Sequence, residues 1–233
     1  VAVSFACAAP AAAAPTFVLG DLGGTGPDTA AGRTIALAVD HWARNFGNDV
    51  TIRLNFGFAR LPSNVLGSSE VTASRQSYQN VRRALQTDPT GWDEAATYDR
   101  LEPTLSFLSN EAGNCERFIN CGRISSTTRV IDNDATTDNL MLQVPTALAK
   151  ALELAPDDGI VDATILFNNR FAWDVSGSFG VHPKQYDLLS TAIHEIGHAL
   201  GFVSGVDFVD TRIDRGGSMP DFSSWGTPLD LFR

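Results

Sequence analysis

Hydrophobic and polar positions along the chain change period several times, and each change marks an element. From Val50 to Phe58 they alternate without a break, Val50, Ile52, Leu54, Phe56 and Phe58 facing one way, which predicts a half-buried strand. Ahead of it, Ile35, Val39, Trp42 and Phe46 recur at helical spacing after Asp28 and Thr29, either of which suits an N-cap, with Gly47 as the stop. His41 beside that stripe reads as a surface or half-buried helix residue. Tyr78, Val81 and Leu85 predict a short helix, and a second is expected around Trp92 to Arg100, before Pro103. From Asn110 to Asp138 the chain is polar and reads as a long, loop-rich insertion.

Helical spacing returns at Pro145 to Leu154, where Pro occupies the first helical position. A β-rich run follows from Ile160 to Phe167, and a helix is predicted from Tyr186 to Leu200 with apolar positions Leu189, Ile193, Ile196 and Leu200. Helices and strands mix without regular βαβ alternation and without repeats, so the predicted class is α+β. "GDLGGTG" (Gly20 to Gly26) has neither phosphate-loop pattern and reads as a turn. "DND" (Asp132 to Asp134) and "DDG" (Asp157 to Gly159) fit no EF-hand spacing; turn chemistry is the simpler reading, with Ca²⁺ a weakly supported alternative.

The last helix carries the chemistry. "AIHEIGHALGF" (Ala192 to Phe202) puts His194 and His198 four positions apart. At about 100° per residue they sit about 40° from one another, so both imidazoles reach one ion. Neutral imidazoles bind Zn²⁺ while leaving a coordination position open for water. Glu195 lies one residue's rotation away, as a base acting on that water requires. His-Glu-x-x-His arises by chance on amphipathic helices, but here it sits on a predicted helix after a β-rich run. A mid-helix Gly costs about 1 kcal/mol against Ala, so Gly197 implies that something approaches closely there.

This stretch resembles the metzincin zinc peptidases, whose signature continues to Gly and then a third His or Asp. His194, Glu195, His198 and Gly201 match; Ser204 stands where the third ligand belongs. "HALGF" followed by a divergent segment is similar to the leishmanolysin-like branch, where an insertion separates the glycine from the third histidine. "GDLGG", "TAIHEIGHALGFVSGVD" and "TPLDLF" are also similar to a group of secreted bacterial metalloproteases, in which a His-Trp pair beyond "PLDLF" supplies that ligand. The specific likeness covers about Thr191 to Asp207. It implies a zincin lobe with a twisted mixed sheet, a long N-terminal backing helix and an active-site helix. It further implies Zn²⁺ on His194 and His198, Glu195 as general base and acid, and a protein or peptide substrate. Metzincins bind substrate along an edge strand just ahead of the active helix, which by position is Ile160 to Phe167; a fully buried central strand is the alternative. No His, Glu or Cys follows His198. The third ligand is therefore expected beyond Arg233, with Asp207 or His182 as internal alternatives. Met219 reads as a loop methionine.

Charge and cysteines place this chemistry. The net charge is −10 and no Lys/Arg cluster occurs, which argues against nucleic acid or an anionic membrane as partner. "VAVSFACAAPAAAAP" reads as the back half of a secretory signal peptide cleaved near Ala13 or Ala14, so the expected location is extracellular or the bacterial cell envelope. Removing Cys7 leaves Cys115 and Cys121, which in an exported protein most simply form a local disulfide. The expected organisation is a signal remnant (1–14), an N-terminal catalytic lobe (15–203) and the start of an incomplete C-terminal lobe (204–233). Two functional readings follow: a secreted zinc endopeptidase, or a catalytically inactive secreted binding or surface protein on the same fold. A zinc hydrolase acting on non-peptide substrates is a weaker third.

Overall fold

The computed structural model describes residues 14–87, 98–112, 127–176, 180–206 and 224–232. The elements run β1 (Thr16–Asp21), α1 (Ala30–Ala43), β2 (Thr51–Ala59), β3 (Gly67–Val71), β4 (Ala73–Ser77) and α2 (Tyr78–Thr87). They continue as β5 (Phe107–Ala112), β6 (Thr127–Asp132), α3 (Thr137–Leu140), β7 (Met141–Pro145), α4 (Thr146–Ala151) and β8 (Ala163–Asn168). Last come β9 (Trp173–Asp174), β10 (Tyr186–Asp187), α5 (Leu188–Leu200) and a 3₁₀ turn, Pro228–Phe232. The class is α+β, as the patterning predicts, and the main sheet is mixed.

The main sheet has the order β1-β2-β8-β3. β1, β2 and β8 run parallel, and β3 is antiparallel to β8. Ile52, Leu54 and Phe56 of β2 and Ala163, Ile165 and Phe167 of β8 project from one face, where α1 and α5 cover them. Thr29 starts α1 by accepting a hydrogen bond from the Gly32 amide, which makes it the N-cap of the two candidates. The helix ends at Ala43, before the expected Gly47 stop, because the Asn45 side chain donates to the His41 carbonyl. A second apolar cluster joins Tyr78, Val81 and Leu85 of α2 to Leu142 and Val144 of β7 and Ala149 of α4.

Several expectations change. The run Ile160 to Phe167 is an internal strand starting at Ala163, hydrogen-bonded on both sides, so it is not the sheet edge. Its two faces differ: Ala163, Ile165 and Phe167 are buried in the core, while Thr164 and Leu166 on the other face are half-buried. The edge nearest α5 is β3, "GSSEV", whose polar composition hid it. The polar region Asn110 to Asp138 is not all loop, since β5 and β6 pair antiparallel at its borders. Pro145 closes β7 instead of opening a helix, and α4 stops at Ala151, where Glu153 turns the chain with φ 56° and the Leu154 amide returns to the Ala149 carbonyl. Residues 88–97, Cys7, Cys115 and Cys121 lie outside the described residues, and with them most of the helix expected around Trp92 and the proposed disulfide. Among the described residues no helix is long and apolar enough to cross a membrane.

A buried ion pair ties the sheet to α4. Lys150 Nζ donates to Asp162 Oδ2 at 2.7 Å and to the Thr51 carbonyl at 2.7 Å. Asp162 also accepts from the Arg53 amide (2.8 Å) and the Thr146 hydroxyl (2.6 Å), so β2, α4 and the approach to β8 share one carboxylate. Asp162→Ala takes the close counter-charge from Lys150, whose side chain is 4 % exposed, and leaves it the Thr51 carbonyl and Asp157 at 4.0 Å. Chemical denaturation of this variant is expected to show a loss of roughly 3–5 kcal/mol; a loss below about 1 kcal/mol, as for exposed pairs, refutes the role.

Candidate functional site

Helix α5 starts on its own cap. Asp187 accepts from the amides of Leu189 and Ser190, so the helix begins two residues later than the periodicity predicts and Tyr186 and Asp187 pair with β9 instead. The buried residues of α5 include Leu188, Ala192, Glu195, Ile196 and Ala199; Leu189, Ile193 and Leu200 are half-buried. The apolar surface is wider than the predicted stripe because α5 is packed on two sides, by the sheet and by α1.

The close approach implied by Gly197 is to α1. A Cβ at Gly197 would lie 3.2 Å from the Trp42 ring, and the Trp42 indole donates to the Ile193 carbonyl at 3.0 Å. Trp42 also stacks on Phe46 and packs against Phe202. The far end of α5 closes on Gly201, with φ 118°: its amide bonds back to His198 and the Phe202 amide to the Gly197 carbonyl. This is a Schellman closure, which needs the left-handed conformation that glycine adopts freely.

That closure sets the first histidine. His198 Nδ1 lies 2.7 Å from the Phe202 carbonyl. A carbonyl only accepts, so Nδ1 is the donor and Nε2 is the acceptor nitrogen, open to a hydrogen bond from His194 or to a metal ion. His198 Nε2 and His194 Nε2 are 3.0 Å apart. Two nitrogens held about 2.0–2.1 Å from one tetrahedral zinc lie about 3.3 Å apart, so the pair fits one ion after a shift of a few tenths of an ångström. His194 is exposed and His198 half-buried, leaving the remaining coordination directions toward solvent.

Glu195 is buried and turns toward β3. Ser69 Oγ lies 2.6 Å from its Oε2 and 2.9 Å from its main-chain carbonyl.

The third ligand is the part the described residues leave open. Ser204 is committed elsewhere: its hydroxyl donates to Asp230 Oδ1 at 2.6 Å. Asp230 also accepts from the Gly205 and Thr227 amides, and the Thr227 hydroxyl donates to the Val203 carbonyl at 2.6 Å, clamping the "TPLDLF" segment against the chain leaving α5. His182 is held by Asp174, with its amide 2.8 Å and its Nδ1 2.7 Å from Oδ2. Among the described residues no group of three His, Cys, Asp or Glu gathers to hold a metal, so His182 does not join His194 and His198. The same holds for Ca²⁺ at the two acidic turns: Asp134, Asp157 and Asp158 cap their own turns, and Asp157 pairs with Arg53. Asp207 and Met219 lie outside the described residues.

Ser69, Trp42, the Phe202 carbonyl and Asp230 were not selected by the sequence reading. Only Gly197 signalled one of them, by marking a place where a neighbour comes close. Compared with known proteins, the chain matches no family model, no curated protein and no solved structure.

The Ser176 hydroxyl, then the His182 amide, the Ser176 amide and the His182 ring hold the Asp174 carboxyl far below the usual carboxylate range. A depressed folded pKa means that the ionised group stabilises the fold above its unfolded pKa of about 3.9 and that this contribution is lost as pH falls through the folded value. Asp174→Asn is therefore expected to be less stable than the parent at pH 7, with the gap closing below about pH 4. Equal thermal stability of the two proteins at neutral pH refutes it.

Proposed function

We propose that this protein is a zinc-dependent peptide hydrolase built on a metzincin-like lobe. The observation that carries the reading is the convergence of two Nε2 atoms at 3.0 Å, one on a ring whose other nitrogen is already committed to a main-chain carbonyl. The mixed sheet, with α1 behind the site helix, supports the lobe assignment.

His194 and His198 are the two zinc ligands of this chain, and a third comes from outside the described residues. Zinc held there would supply Lewis-acid chemistry, acidifying a water and polarising a carbonyl. Glu195 would take a proton at its carboxylate and give it to the departing amine nitrogen. An extended peptide lies along β3, whose outer side has no partner strand among the described residues. Strand addition there gives main-chain hydrogen bonds with little demand on sequence. Secretion is part of the proposal and rests on the N-terminal apolar stretch and the cysteine usage.

A second reading, an inert binding protein on the same scaffold, is favoured by one observation: Ser204, at the expected ligand position, is satisfied by Asp230.

Calorimetric titration with zinc tests the histidine assignment, and peptide hydrolysis separates the two readings. One-to-one binding that is lost in His198→Ala is the expected result, and equal affinity in the two proteins sinks the histidine assignment. Glu195→Gln is expected to keep zinc and to lower peptide hydrolysis by about 10²–10⁴-fold. A parent protein that binds zinc and cleaves no peptide supports the inert reading.

A further inference from the structure

The Glu195 carboxylate is placed by a strand, not by its own helix. Among the described residues its hydrogen-bond donor is Ser69 of β3, at 2.6 Å from Oε2. The same hydroxyl is 2.9 Å from the Glu195 carbonyl, but a hydroxyl has one proton to give, and the shorter contact to the charged acceptor takes it. Two residues earlier on the same face of β3, Gly67 leaves the space the carboxylate fills. A Cβ there would stand 2.7 Å from Oε1 and 3.0 Å from Cδ and Cγ of Glu195. One residue pulls on Oε2 and the other yields room to Oε1, so together they fix both the depth and the rotation of the carboxylate.

We propose that Ser69 and Gly67 are positioning residues for Glu195, acting through the edge strand on which substrate would lie. The proposal rests on the reading of Glu195 as the base of a zinc peptidase. It adds that β3 has two jobs. Its backbone faces a peptide while its inward side chains hold the base, so a peptide pairing with β3 stiffens the strand that aims the carboxylate.

The test uses the zinc-loaded protein and its metal-free form. Ser69→Ala removes the donor, Ser69→Thr restores it on a residue that strands favour, and Gly67→Ala displaces the carboxylate by contact. Misplacing a catalytic group by about 1 Å costs up to roughly a hundredfold. Ser69→Ala and Gly67→Ala are therefore expected to lower kcat about tenfold to a hundredfold, with KM, zinc affinity and thermal midpoint close to the parent's. Ser69→Thr is expected to recover most of the rate. A merely structural role would lower the thermal midpoint and would not split kcat from KM. Unchanged kcat in Ser69→Ala overturns the proposal.

Crystal structures of the metal-free parent and Ser69→Ala provide a readout independent of turnover. Departure of the Glu195 carboxylate from β3 in the variant supports the positioning role, and an unmoved carboxylate overturns it. If the parent cleaves no peptide, the peptidase reading fails by itself while the crystallographic comparison still decides the positioning.

Discussion

Trp42 stands at the junction on which the site depends. Its indole N–H reaches the Ile193 carbonyl, and its ring lies over the bare Cα of Gly197. A Cβ at position 197 would press on that ring at 3.2 Å, so the missing side chain lets α5 lie against α1 without a shift of either. The contact sets the spacing of two helices that share one core with β2 and β8. The same indole packs against Phe202, whose carbonyl takes the Nδ1 proton of His198. One aromatic residue of α1 thereby meets both the main chain two residues before Glu195 and the residue whose carbonyl sets the His198 tautomer. A glycine that weakens a helix by about 1 kcal/mol in isolation is here what gives that ring its room.

The site is bound to the fold by short-range devices at both ends of α5. Asp187 satisfies the first amides, and Gly201 reverses the chain so that Phe202 returns to the helix. Neither device is rare. Their combination matters because His194 and His198 lie in the last two turns, where a frayed end would let the imidazoles drift. The Lys150–Asp162 pair performs a similar service beneath the sheet, joining strands that have few neighbours in sequence. Its cost is desolvation, offset because Asp162 Oδ2 accepts from Lys150 and the Arg53 amide, Oδ1 accepts from Thr146, and the ammonium also reaches the Thr51 carbonyl.

How much was legible follows from where the signals lie. The histidines, Glu195 and their helix could be read because they obey one period and sit in one unbroken segment. β2 could be read because its inner and outer faces differ. β3 could not: Gly67, Ser68, Ser69 and Glu70 carry no apolar pattern, and its place at the sheet edge is a property of pairing, not of composition. For the same reason the apolar run of β8 was open to two readings until its partners were known. Ser69 was invisible because its role exists only across the 126 positions that separate it from Glu195. Periodicity reports what a segment turns toward the core, and says little about which segment lies beside it.

The Asp230 clamp carries a consequence for how this protein can change. It gathers Ser204 and Gly205 on one side and Thr227 on the other, and the Trp225 carbonyl sits where a Cβ of Gly205 would be. A change at any one of these positions is therefore felt by the others. Losing the Asp230 carboxylate would take the acceptor from the Ser204 hydroxyl and from the Gly205 and Thr227 amides at once, just where the chain leaves α5.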